Sequence, residues 1–172
     1  TFIKSKGGKI GQSIFEPAML GVCKELIREA RSKGVLLMLP EDVIAAEKFD
    51  NNTETKMASA SNIENGWMGL DIGEKTQKSF SKTITGSKTI LWNGPLGVFE
   101  MEAFSKGTQA IAEAVGATTK KGGFSLVGGG DSVAALKKFN LVDRVSYIST
   151  GGGAMLESLE GKTLPGIAAL SK

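Results

Sequence analysis

The sequence has 172 residues, of which 23 are glycine, one is cysteine and none is histidine. The absence of histidine excludes Ser-His-Asp triads, Cys-His dyads and histidine-ligated zinc sites, and one cysteine excludes a disulfide within the chain. The net charge is only +3, and no dense basic stripe with interleaved aromatic residues predicts a nucleic-acid partner. No apolar run approaches the ~18 residues of a membrane-spanning helix, so no membrane partner is expected.

The first part of the chain predicts one helix followed by short strands. Residues 16–33 carry apolar side chains at spacings of three and four, which indicates a helix, and Gly34 is a typical helix end. Residues 35–39 are wholly apolar, as in a strand that is covered on both faces of a sheet. Residues 43–49 predict a second strand and residues 57–60 a short third one.

The rest of the chain alternates strands with helices. The predicted strands cover residues 89–92, 124–127 and 145–149, and the predicted helices cover residues 74–85, 100–115, 131–139 and 154–159. Strands that alternate with helices of this length are typical of βαβ units. The sequence therefore predicts an α/β fold with a mainly parallel sheet that is flanked by helices.

Glycine-rich loops follow three of the predicted strands, at residues 93–97, 128–130 and 151–153. A parallel sheet places such loops at one edge, where α/β proteins bind ligands. Glycine lets the backbone approach a ligand closely, and the first N–H groups of a helix are unpaired and lie at the positive end of its dipole. The pattern predicts a phosphate site; the alternative is three tight turns. It matches neither the P-loop nor the dinucleotide-binding spacing.

Two carboxylates lie beside these loops. Asp131 follows the second loop and could bind Mg²⁺ on a bound phosphate, or could simply cap the helix. Glu100 follows the first loop and could accept hydrogen bonds from a ribose, or could only compensate a helix dipole. Trp92, Trp67 and Cys23 are interpreted as core residues rather than as parts of a site.

Longer segments around these residues strongly resemble the phosphoglycerate kinase family. The matching segments are residues 66–73 (GWMGLDIG), 91–100 (LWNGPLGVFE), 127–132 (VGGGDS), 149–154 (STGGGA) and 159–166 (LEGKTLPG). The resemblance implies a three-layer, Rossmann-like α/β fold and one half of a two-domain kinase more than twice as long. We expect residues 1–160 to be a partial C-terminal, nucleotide-binding domain, truncated at its N-terminus. Residues 161–172 would be a terminal segment that docks on an absent N-terminal domain.

The resemblance also implies an activity and a location. The family transfers a phosphoryl group reversibly between 1,3-bisphosphoglycerate and ADP in glycolysis, with Mg²⁺, as cytoplasmic monomers. This chain would supply the site for ADP or ATP and Mg²⁺. The 3-phosphoglycerate site, the arginine that acts on the transferring phosphoryl group and a Gly-Gly-Ala-Lys segment all lie outside it.

The resemblance assigns roles to individual residues. The adenine would contact Ile14, Gly69, Leu70 and Val98, the rest of the nucleotide would contact Asn93 and Pro95, and the ribose would contact Glu100. The distal phosphate of ADP would contact Gly129, Gly130 and Ser132, where the family often has threonine. Mg²⁺ would be bound by Asp131, and the transferring group would be stabilised by Gly151, Gly152 and Gly153. Gly130, Gly152 and Gly153 are thus the predicted catalytic residues.

Because phosphoryl transfer needs charge neutralisation from every side, we expect the isolated chain to bind nucleotide and to catalyse little or nothing. It would meet 3-phosphoglycerate or 1,3-bisphosphoglycerate only with the missing domain. Two alternatives stay open: a non-catalytic nucleotide-binding module, and a fragment that serves only as an association partner.

Overall fold

The computed structural model describes residues 1–170, and the chain divides into two compact units. The first unit consists of Thr1–Ser81 and Leu96–Ile111, and the second of Lys82–Pro95 and Ala112–Lys172. Neither unit begins or ends at residue 160. The predicted boundary between a nucleotide-binding domain and a terminal segment therefore stays a prediction.

The first unit contains a five-stranded sheet. Its elements are α1 (Phe2–Ser5), β1 (Lys9–Ile10), a 3₁₀ turn (Pro17–Met19), α2 (Leu20–Ser32), β2 (Asp42–Ala46), β3 (Thr55–Ser59), β4 (Asn62–Ile63), β5 (Met68–Ile72), most of α3 (Glu74–Thr85), a 3₁₀ turn (Glu102–Phe104) and the start of α4 (Lys106–Lys120). The strand order is β1-β4-β3-β2-β5. Only β1 and β4 pair in parallel, whereas the other neighbours are antiparallel.

The structure confirms the predicted α2, and Cys23 is buried on it. The strand predicted at residues 35–39 is wrong: these residues form no regular element, and Val35 and Leu36 are 59% and 76% exposed. A strand needs a neighbour for its N–H and C=O groups, and no strand within residues 1–170 pairs with this segment. The apolar composition is therefore not sufficient to make a strand here.

The core of the first unit joins the sheet to the segment that precedes α4. Ala46 of β2, Leu70 of β5 and Phe104 are buried against one another, with Phe104 fully covered. Val98 and Met101 pack against this cluster. The helix predicted to begin at residue 100 begins at Lys106 instead, because residues 99–104 form turns that insert Phe104 into the core.

The second unit contains a parallel three-stranded sheet. Its elements are the end of α3, β6 (Thr89–Asn93), the rest of α4, β7 (Phe124–Gly128), α5 (Gly130–Lys138), a 3₁₀ turn (Val142–Arg144), β8 (Tyr147–Ile148), α6 (Gly152–Leu159) and α7 (Pro165–Leu170). The strand order is β6-β7-β8, and both pairs are parallel. The α/β class with a parallel sheet and flanking helices is thus confirmed, although the sheet of the first unit is mainly antiparallel.

Large apolar side chains on three elements of the second unit are buried, which confirms the predicted core position of Trp92. Trp92 of β6, Val127 of β7 and Leu136 of α5 are all at most 6% exposed. Two serines also join β7 to the residues that precede β8: the N–H of Ser125 donates to the Ser146 hydroxyl, and the N–H of Ser146 donates to the Ser125 hydroxyl. Trp67, in the first unit, is only half-buried, with the Lys56 ammonium 3.9 Å from its ring centroid.

Candidate functional site

The glycine loops of the second unit meet at the carboxyl edge of its parallel sheet. β6 ends at Asn93, which pairs in register with Gly128 at the end of β7. A Cβ built at Gly152 would lie 2.7 Å from the nitrogen of Gly129, and a Cβ built at Gly128 would overlap the Met155 side chain. The loops after β7 and before α6 are therefore in direct contact, and side chains at these glycines would separate them.

The α5 helix begins at this edge without a side-chain cap. Its N-cap is Gly129, with φ +86°, and among residues 1–170 no side-chain hydrogen bond caps the first turn of the helix. A non-glycine residue is strained at this φ, so glycine permits the turn that directs these N–H groups outward. The unpaired donors carry partial positive charge. This arrangement is a suitable site for an anion.

Asp131 lies in the first turn of α5 and its side chain is exposed. Because the helix begins at Gly130, Asp131 is not the N-cap, and the capping alternative is wrong. Within residues 1–170 its carboxylate has no hydrogen bond or ion pair, and no cluster of three His, Cys, Asp or Glu side chains could hold a metal. A single free carboxylate beside a phosphate site fits Mg²⁺, which typically uses one or two carboxylates, phosphate oxygens and water.

Ser132 has a structural partner that the sequence does not reveal. Its side chain is fully buried, and its hydroxyl accepts a 2.6 Å hydrogen bond from the N–H of Gly94. This bond ties the start of α5 to the loop after β6. The phosphate-binding role of Ser132 stays a prediction.

The α6 helix repeats the arrangement of α5. Gly151 is its N-cap, and again no side chain caps the first turn. A Cβ at Gly153 would meet nothing within 4 Å, so this position faces open space. The structure thus brings together Asn93, residues 128–131 and residues 151–153, as the three-loop pattern predicts. Pro95, the last residue of this part of the second unit, is half-buried.

A second group of predicted residues lies in the first unit. The N–H of Val98 donates a 2.9 Å hydrogen bond to the carbonyl of Leu70, and the N–H of Gly69 donates a 2.9 Å bond to the Ser13 hydroxyl. Ile14, which follows Ser13, is 97% exposed. Hydrogen bonds therefore connect the backbone segments that carry Ile14, Gly69, Leu70 and Val98. Leu70 itself is almost fully buried, at 8% exposure.

Glu100 is exposed and lies in a turn of the first unit. It precedes α4 by several residues, because the helix begins at Lys106. The dipole of a helix acts only within its first or last turn, so the dipole-compensation alternative for Glu100 is wrong. Its predicted contact with a ribose stays a prediction.

Asp71 is a buried carboxyl group that sequence reasoning did not single out. It is 4% exposed and accepts hydrogen bonds of 2.7 Å from the N–H of Gly107 and 2.8 Å from the N–H of Ile72. Burial raises the pKa of Asp71 to about 6, against the opposing effect of these two bonds. The signal in the sequence was a lone acidic residue inside the otherwise apolar strand β5.

The comparisons with known proteins identify the family. A family model described as phosphoglycerate kinase matches residues 1–162. This chain belongs to the phosphoglycerate kinase family. The phosphoglycerate kinase of Porphyromonas gingivalis is 54% identical over 170 residues, which are 99% of this chain and 41% of that protein. The cytosolic phosphoglycerate kinase of Triticum aestivum is 50% identical over 172 residues, which are all of this chain and 43% of that protein.

Solved structures of phosphoglycerate kinases also match. The enzyme of Coxiella burnetii matches with a TM-score of 0.94 and 44% identity, over 99% of this chain and 43% of that one. The enzyme of Pyrococcus horikoshii matches with a TM-score of 0.79 and 27% identity, over 99% and 42%. The chain thus spans about two fifths of the length of the relatives it matches. In the described part of the chain, no helix is long and apolar enough to cross a membrane.

Proposed function

We propose that this chain forms the nucleotide-binding part of a glycolytic phosphoglycerate kinase, in which it binds ADP or ATP together with Mg²⁺. The observation that carries the proposal is the contact between two uncapped helix starts in the second unit, where a Cβ at Gly152 would lie 2.7 Å from the Gly129 nitrogen. Two sets of unpaired N–H groups at one edge supply the positive potential that phosphate groups require.

The residues of the second unit suit the phosphates. The N–H groups of Gly129, Gly130 and Ser132 would bind the distal phosphate of ADP. Residues 151–153 would donate to the phosphoryl group as it moves, and Asn93 and Pro95 would contact the remainder of the nucleotide. Asp131 would hold Mg²⁺, which supplies positive charge to the phosphate oxygens when it is bound.

A further set of residues is assigned to the adenosine by the resemblance to the family. The side chains of Val98 and of the exposed Ile14 would offer an apolar surface to the adenine, next to the backbone of Gly69 and Leu70. Glu100, whose side chain is exposed, would accept hydrogen bonds from the ribose hydroxyls. The apolar side chains would shield the base, whereas the carboxylate would confer preference for a nucleoside over free phosphate.

In this proposal the reaction is the reversible transfer of a phosphoryl group between 1,3-bisphosphoglycerate and ADP, in the cytoplasm. The phosphoglycerate substrates would bind to parts of a longer protein, which would act as a monomer. The family's charge-neutralising groups come from several directions. The 172-residue chain by itself should therefore bind nucleotide and show almost no turnover.

Calorimetric titration of the chain with ADP, with and without Mg²⁺, tests the proposal. Asp131→Asn should remove most of the Mg²⁺-dependent gain in ADP affinity, because it removes the only charge assigned to the metal. Asp143→Asn is the matched control, since Asp143 is also exposed in the second unit but lies in the 3₁₀ turn Val142–Arg144. Absence of ADP binding by the unmodified chain, or equal effects of the two variants, would refute the proposal.

A further inference from the structure

A fully buried hydroxyl group lies directly behind the loop that carries Val98. Thr108, in the first turn of α4, accepts hydrogen bonds from the N–H of Leu96 at 3.1 Å and from the N–H of Gly97 at 3.2 Å. A hydroxyl oxygen has two lone pairs and can accept both bonds. Thr108 therefore fixes two consecutive N–H groups immediately before Val98.

The Asp71 carboxylate holds the same loop from the strand side. Its Oδ2 accepts the N–H of Gly107 at 2.7 Å, next to Thr108 on α4. The carboxylate also packs against Gly97 so closely that a Cβ there would overlap it. Strand β5, the loop at residues 96–98 and the first turn of α4 are thus joined by two buried polar side chains.

These contacts determine the position of Val98 relative to Leu70. The N–H of Val98 donates to the Leu70 carbonyl at 2.9 Å, and Val98 packs against the cluster that contains Leu70 and Phe104. Thr108 itself has no exposed surface. It can affect a ligand at the surface only through the backbone that it holds.

We propose that Thr108 is a positioning residue for the adenine side of the nucleotide site, with Asp71 as its second anchor. This inference rests on the proposed function, in which Val98 and Leu70 contact the adenine. The Thr108 hydroxyl holds residues 96–98 in the conformation in which Val98 can contact the adenine. Without it, the partly buried N–H groups of Leu96 and Gly97 lose their acceptor, and the loop relaxes to find water or another partner.

The test compares three variants of the 172-residue chain. Thr108→Val keeps the branched shape and removes the hydroxyl, whereas Thr108→Ser keeps the hydroxyl. Thr76→Val is the matched control, because the Thr76 hydroxyl is also fully buried in the first unit and accepts two N–H groups, those of Glu41 and Asp42. None of the contacts of Thr76 is with a residue proposed for the nucleotide.

Calorimetry would measure the affinity of each variant for ADP and for pyrophosphate, both with Mg²⁺. Thr108→Val should lower ADP affinity about tenfold or more and leave pyrophosphate affinity unchanged, because pyrophosphate lacks the adenine that Val98 is proposed to contact. Thr108→Ser should stay within about threefold of the unmodified chain. Thr76→Val should lower the melting temperature without changing the ADP affinity of the folded protein.

The outcomes separate this inference from the proposed function. If the unmodified chain does not bind ADP, both are refuted. If it binds ADP and Thr108→Val binds it equally well, only the inference is refuted, and the same holds if ADP and pyrophosphate weaken together. Should Thr108→Val fail to fold, Asp71→Asn provides the test, because it should weaken ADP binding selectively. Asp42→Asn should not, although Asp42 is also a buried carboxylate: it lies at the start of β2 and accepts hydrogen bonds from the N–H groups of Lys75 and Thr76.

Discussion

Substitution of two adjacent glycines should have opposite effects on the second unit. A Cβ at Gly152 would lie 2.7 Å from the Gly129 nitrogen, whereas ordinary contacts begin at 3.4 Å, so the backbones must separate by about 0.7 Å. Forcing extra volume into a packed region costs ~1–3 kcal/mol, against a gain of up to ~1 kcal/mol when alanine replaces glycine in a helix. At Gly153 nothing lies within 4 Å, so only the gain applies.

Urea unfolding and ADP titration of the two variants would measure these effects. Gly153→Ala should leave stability unchanged or raise it by ~0.5–1 kcal/mol. Gly152→Ala should lower stability by ~1–2 kcal/mol and weaken ADP binding with Mg²⁺ about tenfold, because it displaces the N-cap of α5. Equal stability of the two variants would refute the contact between the loops and, with it, the geometry proposed for phosphate binding.

Two further predictions concern the first unit. Because burial raises the pKa of Asp71 from 3.8 to about 6, the folded protein binds this proton more tightly than the unfolded chain. The stabilisation is present below pH 3.8 and is lost as the pH rises through 6. The stability of the wild type relative to Asp71→Asn should therefore fall by up to ~3 kcal/mol between pH 4 and pH 7; urea unfolding at each pH measures the difference, and a constant difference contradicts the reasoning. Phe104→Ala should destabilise by ~3–5 kcal/mol, since Phe104 is fully buried; a loss below 1 kcal/mol in the same assay would contradict its place in the core.

The second unit could be predicted well from the sequence because its signals are local. An apolar strand, a glycine loop and a helix start follow one another directly at residues 124–138 and again at residues 147–159. Each of these strand-loop-helix segments needs only its own residues and one neighbouring strand to form. The position of the loop at residues 128–130 could therefore be predicted from the sequence.

The first unit could be predicted less well because its structure depends on distant partners. The apolar residues 35–39 predict a strand, but a strand requires a neighbouring strand with which to form hydrogen bonds. Whether such a neighbour is present depends on the folded chain and not on these five residues. The roles of Asp71 and Thr108 depend on bonds to residues 107 and 96–97, respectively. No local pattern reveals such pairs, and the buried hydroxyl of Ser132, which bonds to Gly94, escaped prediction for the same reason.

The uncapped starts of α5 and α6 determine which changes could weaken the phosphate site that is proposed there. Main-chain N–H groups do not titrate in the physiological range, and of all substitutions only one to proline removes them. The contacts proposed between these N–H groups and phosphate should thus not depend on the pH of the solution through the donors themselves, and added bulk is their chief vulnerability. A chain without histidine can in this way present hydrogen-bond donors whose number is the same in acidic and in neutral solution.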